Sequence, residues 1–376
     1  MATSGHSSKR ARASAAMNFM SALVAVLLVC CAHAGAIDPR HFVGAPFLAL
    51  GFMPMLAVAL LVLAVALLCR RWLAALLLVA SLAIAAPMAA AHIPVNGIKS
   101  MPGAAHGVLR VMTYNVLAFN YGEPDLSALP SQTMRLILDA NPDVVVMQEG
   151  SARGLDLDSL PSLAPYSREI RDKFPYRYCA KDGLNIMSKY PFTATTLGEP
   201  LVARSPLGYD RDQTSYLARA YDLQLPDGKQ VRLIDFRLQS YHLSFGKSYN
   251  ARVSPHVVPS PLERMHRSFA LRRSNAQAVR AALDASPPNV ILCGDMNDIA
   301  MSNAYRIIRG GDMRDAWQDA GSGYAPTYNR HHLPFRIDHI LYRGALTAVS
   351  IQRIKGGSSD HYPLMAAFDI GDVGNK

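Results

Sequence analysis

Three apolar runs without a single Asp, Glu, Lys or Arg fill most of the first hundred residues: NFMSALVAVLLVCCAHAGAI (18–37), PFLALGFMPMLAVALLVLAVALLC (46–69) and WLAALLLVASLAIAAPMAAAHIPVNGI (72–98). A bilayer core of ~30 Å takes about 20 such residues per helix. Helices buried in a globular core would show polar stripes, and these runs have none. Three membrane-spanning helices are therefore expected before any other structure.

The short flanks set the orientation by where Lys and Arg gather. Lys9, Arg10 and Arg12 precede the first run, Arg70 and Arg71 part the second from the third, and the loop between the first two holds only Arg40. This predicts a basic cytoplasmic tail over 1–16, a membrane segment over 17–98, a linker over 99–107 and a soluble domain over 108–376 on the outer side of a plasma or inner membrane. The first run has a second reading. A basic start, an apolar stretch and Ala32-His33-Ala34 also fit a signal peptide, whose removal leaves the same final orientation.

Cys30, Cys31 and Cys69 lie in the apolar runs, which leaves Cys179 and Cys293 for the rest of the chain. Two cysteines make neither a disulfide framework nor a cysteine metal site. Cys293 sits inside an apolar strand and reads as a small core residue. Of the 38 Lys and Arg, six precede residue 93; of the 28 Asp and Glu, only Asp38 does, so the remainder is net +5 rather than the +10 of the whole chain. That charge suits a phosphate-bearing substrate or an anionic lipid surface without selecting either.

From residue 108 strand-like runs recur: LRVMTYNV (109–116), DVVVMQE (143–149), LNIMSK (184–189), SYLARAYDL (215–223), VRLIDFRL (231–238), NVILCGDMN (289–297), RIDHILY (336–342) and LMAAFDI (364–370). Several are apolar on both faces, as strands covered on both sides should be. Helical patterns lie near 131–140 and over 262–285. The stretch 246–261 has three Pro and reads as an irregular loop. The fold class is α/β, one domain.

Polar residues gather where these strands end: Asn115; Gln148 and Glu149; Asp295, Asn297 and Asp298; Asp338 and His339; and Asp360-His361 in GGSSDHYP. Strand C-termini are where α/β sheets place ligands. Carboxylates and an amide carbonyl are hard oxygen donors that suit Mg²⁺, Ca²⁺ or Mn²⁺ better than zinc. A divalent ion beside a water-activating carboxylate is equipment for attack on phosphorus. Each residue alone has a plainer reading, and Asp298 and Asp315 also fit as helix caps.

Taken together, MTYNV, VVVMQE, GLNIMSKYP, ILCGDMND, RIDHIL and SSDHYPL resemble, in order, the motifs of the endonuclease/exonuclease/phosphatase superfamily of metal-dependent phosphoesterases. The likeness runs through about 108–370, and apolar helices ahead of such a domain resemble membrane-anchored bacterial members. It implies a four-layer α/β sandwich, two packed β-sheets with helices outside. It also implies roles. Glu149 binds Mg²⁺ or Mn²⁺, with Asn115 and Asp360 near the ion or its waters. Asp295 orients or deprotonates the attacking water, helped by Asn297, and His361, held by Asp338, donates to the phosphoryl oxygen.

One position departs from the pattern. The family's strand often ends in His-Leu where VRLIDFRL has Arg237-Leu238. Arg237 can take over the phosphate contact, since a guanidinium grips phosphate as a fork and stays charged. His242 can reach in from the following loop. The site can also have lost turnover and become a phosphate-binding module, and Arg237 can also be a plain salt-bridge partner at a strand end. The expected partner is a phosphate ester: nucleic acid, a phospholipid headgroup or a soluble ester. Tyr176, Tyr178 and Tyr241 could stack on a base, and loop 246–261 is a natural seat of specificity. Arg264, Arg267, Arg272, Arg273 and His266 on the helix over 261–283 form either a solvated face or a rim for anionic substrate or lipid.

Overall fold

The computed structural model describes residues 3–103, 107–120, 129–150, 157, 160–180, 183–195, 197, 202–203, 215–216, 218–240, 261–330 and 334–371. The chain divides into two compact units, residues 1–92 with 301–306, and residues 93–300 with 307–376.

The first unit is helical: α1 (Thr3–His33), α2 (Ala45–Leu50), α3 (Phe52–Leu68) and α4 (Trp72–His92). α1 packs on α3 and α4, and α3 on α4. Its interior holds small side chains such as Ala59, Ala66, Ala74 and Ala75 beside larger ones such as Leu28, Phe52 and Leu78, while Phe19, Leu61, Leu68 and Leu76 point outward. Two segments, 12–36 and 72–92, are long and apolar enough to cross a bilayer. The middle run, expected as one span, is instead broken at Gly51 into α2 and α3, the longer with 17 residues. Pro54 explains the break: it has no N–H to continue the helix, and its ring clashes with the carbonyl four residues back, at Leu50.

The second unit holds two six-stranded sheets. In chain order the strands are β1 (Val108–Asn115), β2 (Val144–Gln148), β3 (Tyr176–Tyr178), β4 (Asn185–Ser188), β5 (Phe192–Thr195), β6 (Val202–Ala203), β7 (Ser215–Tyr216), β8 (Ala218–Gln224), β9 (Gln230–Arg237), β10 (Val290–Asp295), β11 (Arg314–Asp315), β12 (Asp338–Arg343), β13 (Leu346–Arg353) and β14 (Leu364–Ile370). The first sheet runs β13-β14-β1-β2-β4-β3 and the second β11-β12-β10-β9-β8-β5. Each has one parallel pair at its centre, β1 with β2 and β9 with β10, flanked by antiparallel neighbours. The expected strand over 215–223 is two pieces, with β7 paired to β6 and β8 to β9.

Strand alternation puts every second residue between the sheets. Leu109 and Val111, Val144 and Val146, Val231 and Leu233, Ile291 and Cys293, and Ile340 and Tyr342 meet in one buried cluster. The other face of the first sheet, with Met112, Tyr114, Val145 and Met147, packs on α5 (Gln132–Ala140) and α6 (Ser167–Lys173) through Met134, Ile137, Leu138 and Ile170. Ser131 caps α5 by accepting from Met134 N. Three further helices are α7 (Pro261–Asp284), α8 (Asn303–Arg309) and α9 (Ala316–Ala320). α7 turns Phe269, Ala276, Val279 and Leu283 inward. The layering is the expected sandwich of two mixed sheets flanked by helices. Asp315 caps α9, accepting from Trp317 N at 2.8 Å, as its plainer reading held.

Candidate active site

The alternation that builds the core also builds the site. Followed to the ends of the parallel strands, the inward positions turn polar: Thr113 and Asn115 on β1, Gln148 on β2, Asp235 and Arg237 on β9, Asp295 on β10. The antiparallel β12 begins with Asp338 at the same end, because Asp338 pairs with Asp295. Arg237 pairs with Asp295 on its other side. One end of the sandwich is therefore lined by polar and charged side chains from both sheets.

Hydrogen bonds cross between the sheets at this end. Gln148 Nε2 donates to Asp235 Oδ1 at 2.6 Å, Asn115 Nδ2 to Asp295 Oδ2 at 3.1 Å, and Arg237 Nη2 to Glu149 Oε1 at 2.5 Å. Asn115 Nδ2 also donates to Glu149 Oε1 at 2.9 Å. One amide thus ties the carboxylates of opposite sheets.

The backbone is held in unusual shapes here. Glu149 and Asn297 both have φ of 52°, and neither is glycine. Such conformations gather at functional sites, where surrounding structure enforces them. The turn at Asn297 lets it clamp Asp295 from two atoms: its N donates to Oδ1 at 2.8 Å and its Nδ2 to Oδ2 at 3.0 Å. Arg272 of α7, wholly buried, donates to Asn297 O at 2.5 Å and pairs with Asp298 Oδ2 at 3.2 Å. Gly294 permits the strand contact beneath, since a Cβ there would lie 1.9 Å from Phe236 O.

His361 sits just before β14. Its Nδ1–H donates to Asp338 Oδ2 at 2.8 Å, which leaves Nε2 for chemistry. Ser359 Oγ accepts from His361 N and donates to Asn115 O at 2.6 Å, and Tyr328 stands edge-on to the imidazole with ring centres 5.4 Å apart. Asp360 turns toward Arg330, 3.5 Å away.

Burial raises the Asp295 carboxyl, and so do its Asp338 and Glu149 neighbours; His361 and Arg237 oppose this, and the balance is about 6. Burial works against a charged His361, but Asp338 and Asp295 outweigh it and lift the imidazole to about 10. For Glu149, burial acts upward and is overcome by Arg237, Asn115 and His361, so its carboxyl lies below the usual range. At neutral pH the imidazolium and the guanidinium therefore face ionised carboxylates.

The ligand atoms of Asp295, Asp338 and His361 lie within 4.8 Å of one another. Asp338 Oδ1 is buried and, among the described residues, accepts no hydrogen bond. With His361 protonated, the donors left are the carboxylate oxygens of Asp295, Asp338 and Glu149, and this oxygen set, with one buried oxygen unsatisfied, fits a hard divalent cation.

The family model described as Endonuclease/Exonuclease/phosphatase family matches residues 112–361, more than half of the 376-residue chain. The chain belongs to the endonuclease/exonuclease/phosphatase family. Family membership makes it a hydrolase of phosphate esters. A second model, for a domain of unknown function, matches residues 15–91. No curated protein matches the chain. Among solved structures it is similar to an endonuclease/exonuclease/phosphatase from Beutenbergia cavernae (17% identity, 71% of this chain and 73% of that one, TM-score 0.48). It is also similar to one from Bacteroides vulgatus (16%, 70% and 99%, 0.45) and to the human Nocturnin catalytic domain with bound sulfate (19%, 72% and 96%, 0.44).

Of the residues singled out in the sequence, Asn115, Glu149, Arg237, Asp295, Asn297, Asp338 and His361 meet in this one cluster, with Asp360 beside it. His242 and Tyr241 lie outside the described residues, as do residues 246–260. Tyr176 is placed elsewhere. It pairs with Ser188, which pairs with Val144, so it lies level with the start of β2, about 13 Å along the strand from Gln148. β3 runs in the same direction as β2, and Tyr176 is its first residue, at the end away from the site. Arg272 is corrected too: it lies under the Asn297 turn, neither on a solvated face nor on a substrate rim. A signal for this was present, because Phe269, Arg272, Ala276, Val279 and Leu283 share one helical stripe. Tyr328 had no such signal, since an irregular segment brings it to His361.

Proposed function

We propose that this family member is a membrane-anchored, divalent-metal-dependent phosphoesterase that hydrolyses a phosphate ester outside the cytoplasm with an Asp295-activated water. The observation that carries the reading is the buried Asp295 carboxylate set beside the Asp338–His361 pair, with Glu149 facing it from the other sheet.

Asp295 is desolvated and lifted toward neutrality, which makes it a better base than an exposed carboxylate while it stays ionised at pH 7. Asn297 and Asn115 fix its oxygens and aim them. His361, kept protonated by Asp338, stabilises charge building on a phosphoryl oxygen and can return a proton through Nε2. Arg237 adds a fixed positive charge with fork geometry for the phosphoryl oxygens. A divalent cation held by Glu149, with Asn115 and Asp360 near it or its waters, supplies Lewis-acid polarisation of the phosphoryl group when bound.

The apolar helices and the Lys/Arg bias of their flanks support the anchor and its orientation. A tether favours an ester that is itself fixed in or near the envelope, such as a phospholipid headgroup, over a long polynucleotide, for which the chain shows no added basic module. The test is hydrolysis by the full chain in detergent micelles. The panel is a phospholipid, a DNA strand and soluble phosphomonoesters and phosphodiesters, each with Mg²⁺, with Mn²⁺ and with EDTA. Metal-dependent turnover that is greatest on the phospholipid and lost in Asp295→Ala is expected. Turnover undiminished by EDTA or by Asp295→Ala overturns the mechanism, and preference for DNA overturns the substrate class.

A further inference from the structure

Glu149 Oε1 takes two donors at once, Asn115 Nδ2 at 2.9 Å and Arg237 Nη2 at 2.5 Å. The guanidinium reaches it from the opposite sheet. On the way, Arg237 Nε passes 3.9 Å from Asp295 Oδ2 and, among the described residues, makes no hydrogen bond although that nitrogen is buried. A fixed positive charge thus stands between two carboxylates of the site. It cannot leave by losing a proton, because arginine stays charged in proteins. It can leave only by moving, and the side chain is 36% exposed.

A divalent cation bound to a Glu149 oxygen at about 2.1 Å would face this guanidinium at close range. Like charges so near, partly shielded from water, repel strongly. Phosphate offers the guanidinium a better exchange: two oxygens matched to its fork, in place of one carboxylate oxygen already shared with Asn115.

We propose that Arg237 is a coupling residue: its grip on Glu149 weakens cation binding to the empty site, and an arriving phosphate group draws it away, so that cation and phosphate bind as a pair. This rests on the metal-dependent reading above and goes beyond it, since a site with independent cation and phosphate binding would catalyse the same reaction. Linkage makes the effect reciprocal: whatever factor phosphate adds to cation affinity, the cation adds to phosphate affinity. The site is thereby tuned to a metal–phosphate unit, with Glu149 kept neutralised while it waits.

The test measures Mn²⁺ binding directly, by electron paramagnetic resonance of the free ion, on the full chain in detergent micelles. Wild type, Arg237→Gln, Arg237→Lys and Glu149→Gln are titrated with and without inorganic phosphate, and circular dichroism confirms that each is folded. In wild type, phosphate should tighten Mn²⁺ binding by about tenfold, within the ~5–150-fold range usual for coupled sites. Arg237→Gln should bind Mn²⁺ about tenfold more tightly without phosphate and lose most of the phosphate effect. Arg237→Lys, which keeps the charge, should keep the weak phosphate-free binding. Equal affinity and equal phosphate response in wild type and Arg237→Gln, with binding lost in Glu149→Gln, overturns the coupling and leaves the metal site standing. Absence of Mn²⁺ binding in all four proteins overturns the coupling and the metal-dependent reading together.

Discussion

His361 leads into β14 of one sheet and Asp338 opens β12 of the other, and the 2.8 Å bond from the imidazole to the carboxylate is buried where the two sheets end. The pair joins the segment before β14 to the first residue of β12, so it serves the fold and the chemistry together.

The pair should make stability depend on pH in one direction. His361 titrates near 10 when folded, well above its ordinary value of 6.5. Its contribution is complete below about 6.5 and is lost as pH rises through about 10. Thermal melts of the full chain in EDTA between pH 7 and pH 10 should show wild type losing more stability than Asp338→Asn. A steeper loss in the variant would contradict the assignment.

Asp295 should trade stability for activity. Its folded carboxyl lies near 6 rather than 3.8, so the ionised form is disfavoured in the native site at neutral pH. Asp295→Asn should abolish hydrolysis yet raise stability at pH 8 by on the order of 1–3 kcal/mol. The gain should shrink as pH falls from about 6 toward 4, where wild type takes up the proton itself. Melting curves in EDTA over that range check the sign, and a variant less stable at pH 8 would refute it.

Arg272 should act through Asn297 without touching substrate. Arg272→Met keeps much of the volume but removes the ion pair with Asp298 and frees the Asn297 turn, so a loss of about 3–5 kcal/mol is expected. In the folded variant kcat should fall at least tenfold while KM changes little, and the acid limb of the rate profile should move. Arg272→Lys should recover part of both. An unchanged acid limb with normal kcat would reduce Arg272 to a packing residue.

The orientation can be read from a native side chain. Cys179 is exposed on the second unit. An impermeant thiol reagent should label it in intact cells, and Cys179→Ser should remove that signal. Labelling that appears only after permeabilisation would place the domain inside.

The sequence made the long elements and the cluster legible for one reason: both follow short periods. Residues 231–237 alternate and 364–368 run apolar without interruption, and β9 and β14 lie there. The same period explains why Asn115, Gln148, Arg237 and Asp295 share one cleft. What escaped depends on distant partners. The edge strands β3 and β5 have three and four residues, too few for a period to register. β13 reads LTAVSIQR, with polar residues interrupting its pattern and a register shift between Ala348 and Ser350. Tyr176 carried no sign of its register, and Arg272 looked like one arginine among several until the stripe it shares with Phe269 and Ala276 was set against the turn after β10.

The bonds that cross between the sheets also bear on how such a molecule can change over generations. Asn115 and Glu149 come from one sheet, Arg237 and Asp295 from the other, and each is held by a residue it does not neighbour in the chain. Neither sheet carries a usable half-site. A substitution at Glu149 alters the surroundings of Arg237, so lineages that replace one should be found to have replaced the other.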